Sequence, residues 1–223
     1  MRRIWVRTSS ILTLAALALA ALARPGLGQV RAASENDTAL AMDSRVRVGK
    51  LPSGLTYYIM RHPAPAGRGN FWLVVNAGSV LEDADQRGLA HLVEHMAFQG
   101  TRRFPKHQLT DFLQGIGVQF GPDLNAHTSF DETIYQLQVP TDRPTYVGKT
   151  LQILRDWASE VRFDPEALDN ERRVLLEEWR LGRGADSRLR ERQAAVLYRG
   201  SLYAERSPIG LPAIIQSAPR EAL

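Results

Sequence analysis

The chain contains no cysteine, so it can form neither a disulfide framework nor a thiolate metal site. Any bound metal would have to be held by imidazole and carboxylate. Histidine is scarce as well, with five in 223 residues. The apolar run at the start, Ile11 to Ala23, is 13 residues long, too short to cross a bilayer as a helix. There is no internal repeat, and no low-complexity tract beyond that first segment. Positive charge is in excess only locally. The formal net charge is +4 and the pI about 9.7, but residues 1–32 hold five arginines (Arg2, Arg3, Arg7, Arg24 and Arg31) and no acid. The remainder is close to neutral, which argues against nucleic acid as a partner. At 44% hydrophobic residues, the length supports one sizeable core, with room for a piece of a second domain.

The first segment pairs a basic start, Met1-Arg2-Arg3, with an Ala/Leu-rich core, and reads as a signal peptide over residues 1–32. Small-x-small cleavage sites stand at Ala21-Leu22-Ala23 and Val30-Arg31-Ala32; an uncleaved anchor is the competing reading. The expected location is the bacterial periplasm or the exterior, with no membrane attachment after cleavage. Residues 33–44 are polar and aperiodic, a linker, and residues 45–223 form the functional domain.

Within that domain, Arg45-Val46-Arg47-Val48 and Leu55 to Met60 are β-rich runs joined by Leu51-Pro52-Ser53-Gly54, a hairpin. Asn70 to Asn76 is a third strand. A helix is expected from about Leu89 to Phe98, with Gly100 beyond its end, and a second from Pro105 to about Gln114, with His107 on its surface. Val118-Gln119-Phe120 reads as a short strand, and Leu124 to Val139 as one longer extended segment. Two more helices follow, one opened by Arg143-Pro144 and one running from Asp164-Pro165 to about Arg183.

Two of the five histidines sit one helical turn apart in His91-Leu92-Val93-Glu94-His95. At about 100° per residue, His91, Glu94 and His95 share one narrow face. Imidazoles at i and i+4 can hold one metal ion, and the intervening glutamate can take a proton from a water that the metal activates. This is the inverted order of the His-Glu-x-x-His motif of zinc hydrolases. The plainer alternative for these five residues is a solvated polar helix face. A catalytic zinc takes a third protein ligand, and the last helix offers Glu171, Glu177 and Glu178. Glu171 and Glu178, seven apart, lie within about 20° of each other, whereas Glu177 is turned about 120° away. Ser129 and Asp131 do not suggest a serine hydrolase, because no Gly-x-Ser-x-Gly turn is present.

These features in this order resemble the N-terminal catalytic domain of the insulinase (pitrilysin) family of zinc metallopeptidases. The resemblance is carried by His91-x-x-Glu94-His95, Asn125-Ala126-x-Thr128 and Glu171-x6-Glu178. It extends to Leu51-Pro52-x-Gly54-Leu55, Asn76-Ala77-Gly78-Ser79 and the exit His95-Met96-Ala97-Phe98-x-Gly100-Thr101. It implies that His91, His95 and Glu178 ligate one Zn2+, that Glu94 is the general base, and that Glu171 is an acid behind the ligands. It also implies that the Asn125-Ala126 strand binds an extended peptide by strand addition. His127, two residues after Asn125, either lines the same cleft or is an ordinary strand residue. The implied fold is α+β, an antiparallel sheet with helices packed on one face, forming half of a clamshell. The C-terminal half, in the same longer chain or a second subunit, is the expected partner beside the peptide substrate. The sequence stops at Pro219 to Leu223 as a helix would begin, which reads as a domain cut short. The rival to a peptidase is a non-catalytic peptide-binding or scaffold subunit.

Overall fold

Residues 40–223 are described by a computed structural model of the chain. The expected signal peptide and most of the expected linker lie outside the described residues. Two compact units divide at Arg61. In the first, β1 (Val46–Lys50) and β2 (Thr56–Met60) pair antiparallel from Val46 opposite Met60 to Lys50 opposite Thr56. The turn between them closes through Leu51 N–H to the Leu55 carbonyl at 2.8 Å, with Gly54 at φ +93°, a conformation that L side chains rarely adopt. This is the expected hairpin.

The second unit is built on a three-stranded antiparallel sheet of β3 (Arg68–Val75), β4 (Leu124–Thr128) and β5 (Thr133–Pro140), ordered β3-β5-β4. The strand period of two sends Phe71, Leu73, Tyr135, Leu137, Val139 and Leu124 to one face, and Asn70, Trp72, Gln136 and Asn125 to the other. Helices cover the apolar face: α1 (Leu89–Gln99), α2 (Gln108–Gly115) and α3 (Pro144–Ser159). Beyond them lie α4 (Pro165–Leu181), α5 (Ala185–Leu197) and α6 (Pro212–Ser217). The architecture is the expected α+β arrangement.

Helix α1 lies between two cores. Ala97 joins the cluster of Leu109, Leu113, Ile153, Trp157 and the inner sheet face, while Leu89, Leu92 and Met96 pack with Leu168 and Leu175 of α4 and Ile215 of α6. Its ends are fixed separately. The Glu82 carboxylate accepts from the Gly88 N–H at 3.0 Å and the Ala90 N–H at 2.8 Å, capping the start. At the other end the Trp157 indole N–H donates to the Ala97 carbonyl at 2.9 Å, and the Arg162 N–H to that of Gly100 at 3.0 Å. Gly100 is required there: its φ is +151°, and a Cβ would stand 2.8 Å from the Lys106 nitrogen. Helix α4 starts as expected, with the Asp164 carboxylate accepting from the Glu166 and Ala167 N–H groups and Pro165 in its first turn.

Several sequence expectations need correction. Val118-Gln119-Phe120 is not a strand: it lies between Gly117 (φ +85°) and Gly121 (φ +88°), whose left-handed backbones turn the chain before a ladder can form. The extended segment from Leu124 to Val139 is two strands, broken by a turn in which Ser129 N–H donates to the Glu132 carbonyl at 2.8 Å. Ser129 Oγ also accepts from the Asp131 and Glu132 N–H groups, so Ser129 and Asp131 are turn residues. Helix α2 begins at Gln108 because Lys106 takes φ +52° after Pro105. Helix α4 ends at Leu181, before Gly182, rather than at Arg183, and the last residues form a single 3-10 turn, Arg220–Ala222.

The two-sided packing of α1 is testable at α4. Leu175 is fully buried and Val174 is 44% exposed. Leu175→Ala should lower stability to urea by about 2–5 kcal/mol, and Val174→Ala by less than about 1 kcal/mol. Equal losses would contradict the burial pattern.

Candidate metal centre

Along α1, His91, His95 and Gln99 recur every fourth residue and form one polar stripe beside the apolar faces. Helix α4 runs antiparallel to it with Glu178 and Glu171 facing inward, so ascending positions on one helix meet descending positions on the other. Glu178 Oε2 lies 3.8 Å from His91 Nε2 and 3.7 Å from His95 Nε2. Glu171 Oε2 accepts from His95 Nδ1–H at 2.9 Å, and its Oε1 from the Gln99 amide at 2.6 Å. Glu177, on the outer side of α4, pairs with Arg180 at 2.7 Å.

Ligand atoms of His91, His95 and Glu178 all lie within 4.8 Å of one another. Bonds of about 2.0–2.1 Å at tetrahedral angles place donors about 3.3 Å apart, so Glu178 Oε2, at 3.8 and 3.7 Å from the two imidazole nitrogens, needs to close by about half an ångström to share zinc with each. The protonation states also suit it. Burial, aided by the nearby charge of His95, lowers the His91 pKa to about 4, leaving a neutral imidazole with a free lone pair at neutral pH. Burial acts on His95 in the same direction. It is outweighed by the Glu171 hydrogen bond and by the charges of Glu178, Glu171 and Glu94, and the net shift is upward. The Glu171 bond fixes Nδ1 as the protonated nitrogen of His95 and leaves Nε2 for a metal. His91 Nδ1, by contrast, is buried without a partner.

Glu94 lies one residue before His95 and is only 6% exposed. Burial raises its pKa, and a 2.6 Å hydrogen bond from the Thr128 hydroxyl to Oε2 partly opposes the rise. Thr128 is held in turn by Thr133, whose hydroxyl also donates to the Ala77 carbonyl at 2.9 Å. Glu94 Oε1 has no hydrogen bond among the described residues and is available to a water.

Asn125 and His127 project from the outer face of β4 and are exposed, outside the His–Glu cluster; Ala126 is half-buried on the inner side. Among the described residues strand β4 forms a ladder only with β5. On its other edge Leu124 is bridged to Phe120, its N–H donating to the Gln119 carbonyl at 3.1 Å and its carbonyl accepting from the Gly121 N–H at 2.9 Å, and the edge is open from Ala126 to Thr128. His107 is exposed at the start of α2, away from the cluster. Gln99 and Thr128 are functional candidates that the motif alone did not single out. Gln99 is legible afterwards as the next i+4 step from His95, and Thr128 only through the folding of β4 over α1.

Residues 57–199 match the insulinase family, peptidase family M16. The chain is 46% identical over 171 residues to a zinc protease PQQL-like of Arabidopsis thaliana, covering 77% of this chain and 18% of that protein. It is 36% identical over 173 residues to the probable zinc protease PqqL of Escherichia coli, covering 78% and 19%. The structure of the first half of the periplasmic protease PqqL from Escherichia coli superposes with a TM-score of 0.79 at 34% identity, covering 83% of this chain and 40% of that one. The chain thus spans about a fifth of the length of these curated relatives. With the matching fold, the convergent His, His and Glu side chains and relatives that are zinc proteases, the chain belongs to the insulinase family of peptidases.

Proposed function

We propose that this chain carries the zinc site of an exported metallopeptidase that hydrolyses extended peptides or small unfolded proteins. The convergence of His91, His95 and Glu178 beside the buried Glu94 carries this reading. In it, His91 Nε2, His95 Nε2 and one Glu178 oxygen hold the ion, and Glu171 orients His95. A zinc ion bound there supplies Lewis acidity, polarising the scissile carbonyl and lowering the pKa of water. Glu94 is the general base: the Thr128 hydroxyl fixes one carboxylate oxygen, and the other takes the proton of the attacking water and passes it to the leaving amine. Its raised pKa makes it a better base than an exposed glutamate. The edge of β4 that is open from Ala126 to Thr128 supports addition of a peptide as a further strand at Asn125-Ala126, a mode that reads backbone and leaves sequence preference loose.

The PqqL structure similar to this chain is the first half of a periplasmic protease. That supports export through the proposed signal peptide at residues 1–32, and a C-terminal half, in the same polypeptide or a second subunit, as the partner that completes the cleft. The family likeness outside the signal favours one functional domain over residues 45–223, preceded by a linker.

Glu94→Gln should retain one zinc per chain, measured by mass spectrometry, and lower peptide hydrolysis, assayed beside the C-terminal half, by about 10²-fold or more. His91→Ala should lose both zinc and activity. An active Glu94→Gln protein would remove Glu94 as the base, and stoichiometric zinc without any cleavage in the wild type would favour a peptide-binding subunit.

The neutral imidazole is the form that binds metal, so the two histidines should differ in their response to acid. In the metal-free chain His91 should protonate only near pH 4, and His95 above the ordinary 6.5. Between those limits zinc uptake should displace one proton, from His95, and affinity should fall about tenfold per pH unit on acidification. Histidine NMR titration checks this; a common midpoint for both rings would contradict it.

A further inference from the structure

We propose that Gln99 is a positioning residue of the metal centre, acting on His95 through Glu171. The inference rests on the proposed zinc site and extends it to a residue outside the His-x-x-Glu-His motif. Gln99 closes the polar stripe of α1, one turn beyond His95. Its amide nitrogen donates to Glu171 Oε1 at 2.6 Å while Glu171 Oε2 accepts from His95 Nδ1–H at 2.9 Å. The direction of the Gln99 bond is unambiguous, because an ionised carboxylate has only acceptors to offer. The chain of bonds therefore runs Gln99, Glu171, His95, and ends at His95 Nε2.

Why the centre needs this donor follows from burial. Glu171 is 9% exposed, and among the described residues its carboxylate has no hydrogen-bond partner other than Gln99 and His95. With Gln99 replaced by an apolar side chain, Oε1 would be left without a donor in a largely dry position. The carboxylate would then gain by rotating or drawing in water, either of which loosens its hold on the His95 ring. A neutral amide is suited to the task. It fixes the carboxylate plane without cancelling the negative charge that makes His95 a stronger ligand, as a lysine or arginine there would do.

The backbone around Gln99 is fixed independently of its side chain. Two residues earlier the Ala97 carbonyl accepts from Trp157, and one residue later the Gly100 carbonyl accepts from Arg162. Gln99 is thus delivered to Glu171 by the anchored end of α1, and removing its amide leaves those anchors intact. Gln99→Met keeps length, packing volume and helix propensity while deleting the donor.

The test is a double-mutant cycle on zinc affinity, measured on the full chain by competition with a chromophoric chelator. Loss of a group directly behind a ligand typically costs about 10–100-fold in affinity, and Gln99 stands one bond further out, so Gln99→Met should weaken zinc about 3–10-fold. In a Glu171→Ala background the same substitution should change nothing, because its only route to His95 is gone. Circular dichroism of both metal-free proteins identifies a variant that has lost its fold, and Gln99→Leu serves as the second donor-less variant. Unchanged affinity in folded Gln99→Met and Gln99→Leu, or equal loss in both backgrounds, would overturn the role of Gln99. A wild-type chain that takes up no zinc would instead overturn the metal centre itself, and this inference with it.

Discussion

The burial of α1 on two sides is the constraint on which the site depends. Ala97 enters the sheet core, and Leu89, Leu92 and Met96 enter the core shared with α4 and α6. A helix held from two directions cannot rotate, so the face left between the cores is fixed in space. That face carries His91, His95 and Gln99. The apolar packing of Leu92 against α4 therefore also sets the distance between His91 and Glu178.

The antiparallel meeting of α1 and α4 arranges the charges. Glu171 reaches the side of His95 that faces away from the ligand cluster, and Glu178 reaches the side that faces it. One carboxylate can therefore orient the ring while the other remains free as a ligand. The two histidines are not equivalent as a result. His91 is kept neutral by burial, whereas His95 is drawn towards its charged form by three carboxylates, and a cation at the centre would relieve that accumulation of negative charge.

The sheet contributes through position. Strand β5 is central and β4 lies at the edge, so β4 can present Thr128 to Glu94 with its inner face while its outer backbone edge, bridged to Phe120 at Leu124, stays open from Ala126 to Thr128 among the described residues. Chemistry and peptide recognition would then be brought together by one strand of five residues, with Ser129 and Glu132 forming the turn that returns the chain to β5.

The alternation of Thr133 to Val139, the hairpin at Leu51 to Gly54 and the Asp164-Pro165 start of α4 were legible in the sequence because each is set by bonds or side-chain periodicity within a few residues. The common face of His91, Glu94 and His95 was legible for the same reason, as was the pairing of Glu171 with Glu178 rather than Glu177. The failure at Val118 to Phe120 is of another kind. A strand requires a partner, and Gly117 and Gly121 turn the segment away from one. Helix α5 went unread because it buries no residue, so it has little apolar periodicity to reveal it. The sequence by itself determined which side chains share a helix face, since 3.6 residues per turn is a local property. Only the tertiary structure decided that Glu171 stands behind His95, that Thr128 bonds Glu94 and that Gln99 completes the line. Those contacts join residues 34 to 76 positions apart, and their distances depend on how whole helices and strands pack.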